Sequence, residues 1–111
     1  MNKFYGMLGL AQKAGKLVFG EDGVKSAIKT GKAIVVIVAE DASDNTKKKF
    51  IDSCTFYKRE LIIYGTKDNL GHFTGKNERA VIAICDQGFA KAIKDKINIP
   101  GGELIEQNKD I

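Results

Sequence analysis

Phe4, Met7, Leu8 and Ala11 follow the i, i+3, i+4, i+7 spacing of one helix face, with Asn2 placed to cap the start and Gly15 to end the run. Leu17-Val18-Phe19 is a short strand. Helical spacing returns in Val24, Ala27 and Ile28, which predicts a second helix from Glu21 to Thr30 stopped by Gly31, with Lys25, Lys29 and Lys32 along its other side. Ala33-Ile34-Val35-Val36-Ile37-Val38-Ala39 has no polar position at all, the pattern of a strand covered on both faces.

The polar stretch from Glu40 to Thr46 offers several helix caps and leads into a third helix whose inner face holds Phe50, Ile51 and Cys54. Strands follow at Glu60–Tyr64 and Ala80–Cys85, separated by a short helix from Lys67 to Phe73 capped by Thr66 and by a loop from Gly75 to Arg79. Asp86 caps a last helix from Gly88 to Ile97. Strands alternating with helices need crossovers that cover both sheet faces, so the expected fold is a three-layer α/β/α sandwich with a four-stranded mixed sheet. One domain spans residues 1–97, and Pro100-Gly101-Gly102 opens a flexible tail over 98–111 in which Leu104 and Ile105 allow one turn of helix.

At 111 residues the chain has room for a single modest core. Its N-terminus has no signal-peptide pattern and no apolar run approaches a membrane span, so a cytoplasmic, monomeric protein without membrane contact is expected. The net charge is +4, and because the tail carries Glu103, Glu106 and Asp110 against Lys109, the surplus is larger over the folded part. Such a balance suits a polyanionic partner.

No catalytic set emerges. His72 is the only histidine and has no acidic or thiol partner at a recognisable spacing, which makes it a surface residue. Cys54 and Cys85 stand alone inside apolar patterns and are read as buried structural thiols, so neither a metal nor a cofactor is expected. The turn Gly20-Glu21-Asp22-Gly23 lacks the third glycine of a dinucleotide fingerprint and the Gly-Lys-Ser/Thr of a P-loop. It does bring backbone N–H groups and lysines to one helix start, where a phosphate-bearing ligand can dock. Glu40-Asp41 follows the central strand and either takes Mg²⁺ or base donors, or caps the next helix. Lys47-Lys48-Lys49 opposes the dipole of the helix it begins, and is either a phosphate contact or a solvated charge run.

Ala14-Gly15-Lys16-Leu17-Val18-Phe19-Gly20, Lys29-Thr30-Gly31-Lys32-Ala33, Ala39-Glu40-Asp41-Ala42-Ser43, Asn45-Thr46-Lys47-Lys48-Lys49, and Leu70-Gly71 with Gly75-Lys76 stand in order along the chain. Together they resemble the L-seven-Ae/L-thirty-e superfamily of ribosomal RNA-binding proteins, in particular its bacterial YlxQ-type branch, over residues 2 to about 97. The resemblance implies a three-layer fold and binding to structured RNA, typically a kink-turn. Family members grip RNA through Gly-x-Asn-Glu-x-x-Lys at the start of the second helix, and the matching positions here are Gly20, Asp22, Gly23 and Ser26. Asp22 keeps an acceptor but no amide donor, Gly23 offers backbone only, and Lys25 or Lys29 stands in for the charge absent at Ser26. The second family contact, often apolar, is Lys76-Asn77-Glu78-Arg79.

The reading that follows is a non-enzymatic RNA-binding protein of ribosomal type clamping a bent, kink-turn-like RNA, ribosomal RNA being one candidate. Gly20, Glu21, Asp22, Gly23 and Ser26 would meet bases or backbone, with Lys25, Lys29, Lys32, Lys47 and Lys48 on phosphates, Glu40 nearby, and Lys76 with Arg79 closing the other side. A protein-interaction module on the same surface, or a small nucleotide-binding enzyme, are the competing readings.

Overall fold

The computed structural model describes residues 3–97 and the backbone of 103–105, so the Asn2 cap and the rest of the tail lie outside the described residues. In chain order the elements are α1 (Lys3–Lys13), β1 (Leu17–Phe19), α2 (Glu21–Lys29), β2 (Val35–Val38), α3 (Asp44–Tyr57), β3 (Glu60–Ile63), α4 (Lys67–His72), β4 (Val81–Ile84), α5 (Gln87–Asp95) and β5 (Glu103–Ile105).

The sheet order is β1-β4-β2-β3-β5. β2 runs parallel to β3, while β4 is antiparallel to both β1 and β2, which gives the expected mixed sheet of four strands. β5 adds a fifth: its backbone pairs antiparallel with β3, Leu61 opposite Ile105 and Ile62 opposite Leu104, where the sequence predicted a turn of helix. An unpaired β3 edge is the physical reason, because its open N–H and C=O groups template another strand.

All four residues of β2 and of β4 are buried, as central strands covered on both faces require. α1 packs with α5, and α2 packs with α3. Phe4, Leu8, Ile28, Phe50, Leu61, Ile82 and Ile93 fill the layers between helices and sheet with no exposed surface. The strands are shorter than the apolar runs that contain them, yet the flanks still pair: the Ile34 amide donates to the Ile84 carbonyl at 2.8 Å and the Tyr64 amide to Val38 at 3.0 Å.

Phe19 lies opposite Ile82 and Val38 opposite both Val81 and Ile63, so β1, β2 and β3 end at the sheet edge where β4 begins. The starts of α2, α3 and α4 therefore share that edge with the loop leading to β4.

Candidate nucleic-acid interface

Three helices begin at this edge, and two of them satisfy their own first turns. The Ser43 hydroxyl accepts from the Thr46 amide at 3.1 Å and the Thr66 hydroxyl from the Asn69 amide at 3.2 Å. The residue before α2 is Gly20, which has no side chain to do the same, and no side chain caps that helix. The unpaired amides of its first turn and the positive end of its dipole thus face outward. Gly20 is held at φ 82°, ψ 151°, a region only glycine enters readily, which turns the chain from β1 into α2.

The facing wall is the loop before β4. α4 approaches it so closely at Gly71 that a Cβ there would sit 2.5 Å from Glu78 Cα, and the Lys76 amide donates to the Gly71 carbonyl at 2.9 Å. Arg79, at the end of this loop, lays its guanidinium over the Phe19 ring at 3.4 Å from the centroid. Its Nε donates to the hydroxyl of buried Thr74 at 2.8 Å, and that hydroxyl donates to the Leu70 carbonyl at 2.7 Å. Burial pulls the Arg79 pKa below its ordinary value, but a guanidinium so lowered is still a cation at neutral pH. Between the walls lies a cleft of about 370 Å³, with Phe19, Gly20 and Glu21 on one side and Lys76, Glu78, Arg79, Ala80 and Val81 on the other.

Two carboxylates line the cleft, and each is paired within the protein, Glu78 with Lys67 of α4 at 3.8 Å. Glu21 pairs with Lys49 of α3 at 2.6 Å and accepts from the Thr46 hydroxyl at 3.2 Å. The Lys49 hydrogen bond chiefly holds the Glu21 carboxyl below its usual pKa, with Thr46 and the charges of Lys49 and Lys25 adding to it. The same contacts tie the start of α2 to the start of α3.

The other residues expected at the site are distributed as follows. Asp22, Lys25 and Ser26 are exposed along α2, and Lys25 stands within electrostatic reach of Glu21. Gly23 lies inside the helix and faces β1, where a Cβ would meet Val18 Cγ1 at 3.1 Å, so it is a packing glycine rather than part of an open turn. Lys29 ends α2, and Lys32 falls beyond it after the Gly31 turn, at the opposite edge of the sheet from the cleft. The lysine stripe is broken because the helix ends before its third member.

Glu40 and Asp41 face the start of α4 and leave the cap of α3 to Ser43. Glu40 accepts from the Gly65 amide at 3.3 Å and Asp41 from the Lys67 amide at 2.8 Å, which fastens the end of β2 to the start of α4 while Ser43 caps α3. Among the described residues no group of acidic, thiol and imidazole side chains could hold a metal ion. Lys48 pairs with Asp52 at 3.0 Å along α3, while Lys47 is half-buried.

Cys54 is buried as expected, its thiol pushed up to about 12 by desolvation, whereas Cys85 is only half-buried just past β4. His72 is exposed at the end of α4 with its ring edge-on to Phe73. Sequence patterns gave no sign of Phe19, Thr74 or Gly71 as supports for Arg79, nor of Lys49 as the partner of Glu21. Each acts through a contact between segments far apart in the chain.

Comparison with known proteins bears on this geometry. The model of the ribosomal protein L7Ae/L30e/S12e/Gadd45 family matches residues 2–94. The chain is 42% identical over 91 residues to a Bacillus subtilis protein named RNA-binding protein YlxQ, covering 82% of this chain and 91% of that one. A protein of the same name from Enterococcus faecium is 40% identical over 95 residues, covering 86% and 91%. A solved structure of a Bacillus halodurans protein described as of unknown function superposes with a TM-score of 0.82 at 37% identity, covering 86% of this chain and 96% of that one. No helix among the described residues is long and apolar enough to cross a membrane.

Proposed function

The chain belongs to the ribosomal protein L7Ae/L30e/S12e/Gadd45 family, and from that premise we propose that it is a non-enzymatic protein that binds structured RNA of the bent, kink-turn kind in the cleft between α2 and the loop before β4. The observation that carries this reading is the pairing of an uncapped helix start at Gly20 with a half-buried guanidinium at Arg79 across one cleft. Amides and a dipole favour a phosphate on one wall, and a preorganised planar cation meets it from the other. Lys76 and Lys25 add exposed charge on either side.

Selectivity follows from what the helix start offers. Asp22 accepts hydrogen bonds from donors such as the guanine amino group but donates none, and Gly23 is turned toward Val18. Shape and backbone contacts therefore dominate, and each base contact missing relative to a full Asn-Glu pair lowers affinity by about 1–3 kcal/mol. Relatives named as RNA-binding proteins support the choice of polymer.

The test is a titration of the protein against a kink-turn RNA and a straight duplex of equal length at several salt concentrations between about 50 and 200 mM. Tighter binding to the bent RNA, with affinity falling linearly as salt rises on logarithmic axes, is the expected result. Equal affinity for both would refute the preference for bent RNA, and no dependence on salt would refute phosphate contact and favour a protein partner.

A further inference from the structure

The edge of the sheet opposite the cleft carries its own concentration of positive charge. Lys16 precedes β1, Lys32 precedes β2, and Lys58-Arg59 precedes β3, while Lys29 ends α2 beside them. The registers place these segments side by side: Lys16 accepts at its carbonyl from the Cys85 amide at 2.9 Å, Ile34 donates to Ile84 at 2.8 Å, and Val35 lies opposite Glu60. From β1 through β4 and β2 to β3 is three strand spacings, about 14 Å. Gly31 brings the α2 end against Arg59, whose Nη2 would be 3.4 Å from a Cβ at that glycine.

Among the described residues the acidic groups of this edge are already engaged. Glu60 pairs with Lys94 at 2.7 Å, Asp86 accepts from the Phe89 amide at 2.9 Å as the cap of α5, and Asp95 lies 3.9 Å from Lys91. Among the described residues no carboxylate pairs with Lys16, Lys29, Lys32, Lys58 or Arg59, and the buried Nε of Arg59 has no hydrogen-bond partner. Lys16, Lys29, Lys32 and Lys58 are exposed. Lys58 adopts the left-handed conformation at φ 59° to close α3, which turns the chain at this edge and keeps two cations adjacent there.

Resting on the RNA-binding reading above, we propose that this far edge is a second phosphate-contact surface and that one copy of the protein bridges two RNA segments. α2 runs from one surface to the other over nine residues, about 13 Å of helix, so a phosphate at the far edge is a different one from that seated in the cleft. The contacts available are point charges from lysines, plus the outer nitrogens of one guanidinium. They recognise backbone and carry no base specificity. The second ligand is thus an RNA strand or duplex of any sequence.

The experiment immobilises a kink-turn hairpin, saturates it with the full chain, and adds a labelled straight RNA duplex. The parent protein should retain the duplex, and the triple variant Lys16→Gln, Lys32→Gln, Lys58→Gln should retain about tenfold less while binding the hairpin within about twofold of the parent. All three side chains are exposed, and equal melting temperatures confirm that the variant is folded. Parent-coated hairpin that retains no duplex, or a triple variant that retains as much as the parent, overturns the proposal. If the hairpin itself does not bind, the cleft reading fails separately. Titration of the duplex alone then decides the far edge, with a drop of about tenfold in the triple variant expected and no drop refuting it.

Discussion

Replacing Arg79 with Ala removes two interactions that hold one wall of the cleft. The guanidinium sits 3.4 Å from the centroid of the Phe19 ring and is half-buried, which places the cation–π contact between the exposed and desolvated limits at about 1 kcal/mol. Its Nε–H bond to Thr74 contributes about 1 kcal/mol more, and Thr74 keeps its own bond to Leu70, so no new buried donor is orphaned. The sum, about 2 kcal/mol, corresponds to a fall of roughly 10 °C in melting temperature for a domain of this size. The backbone bond from the Arg79 amide to Lys67 survives, so the loop stays attached. Thermal and urea unfolding measure the stability change, and RNA titration at several salt concentrations should show the logarithmic salt slope reduced by about one. Arg79→Lys keeps the charge and hence the slope, but loses the stacked plane and melts between the two. A double-mutant cycle with Phe19→Leu should give a coupling of about 1 kcal/mol. An Arg79→Ala protein that melts with the parent and keeps its salt slope would refute both the supporting geometry and the role in RNA contact.

Glu21→Gln should destabilise the protein at pH 7 and cease to do so in acid. The folded carboxyl lies below its ordinary value of 4.5, so its contribution is present above that pH and is lost as pH falls through the folded value, which urea titrations stepped down from pH 7 would show as a shrinking gap between parent and variant. Gly71→Ala should cost about 1–3 kcal/mol and weaken RNA binding, because the new methyl meets Glu78 backbone at 2.5 Å and displaces the cleft loop. Gly23→Ala should stay within about 1 kcal/mol of the parent, since the clash at 3.1 Å is with one Val18 methyl and the helix gains propensity; comparative urea unfolding separates the two. With its thiol pushed up to about 12, Cys54 should resist alkylation at pH 8 in the folded protein and react on unfolding, as mass spectrometry of the modified peptides would report.

Periodicity was sufficient where one element decides its own structure. Of the α1 stripe Phe4, Met7, Leu8 and Ala11, all but the half-buried Met7 are buried, Tyr5 joins them, and the unbroken apolar run of β2 is covered as expected, because core burial is what those patterns encode. Lys32 leaves the lysine stripe because the chain turns out of α2 at Gly31, beyond which helical projection no longer holds. Lys47, Lys48 and Lys49 form one run in sequence but point in directions about 100° apart, so one is half-buried, one pairs along α3 and one reaches Glu21. Phe19 beneath Arg79 and Thr74 beside it join segments that only the β1–β4 pairing brings together, and no spacing rule reports such a contact. β5 is not legible in the sequence because its three residues hold no alternation long enough to distinguish a strand from a helical turn.

The central claim, that RNA enters between the α2 start and the loop before β4, is tested most directly by amide chemical-shift mapping with a kink-turn RNA at equimolar ratio. The account predicts the largest shifts at Gly20, Glu21, Asp22 and Gly23, whose amides have no helical partner, and across Lys76, Asn77, Glu78 and Arg79 on the facing wall. Shifts concentrated on α1 and α5, with these amides unmoved, would contradict it.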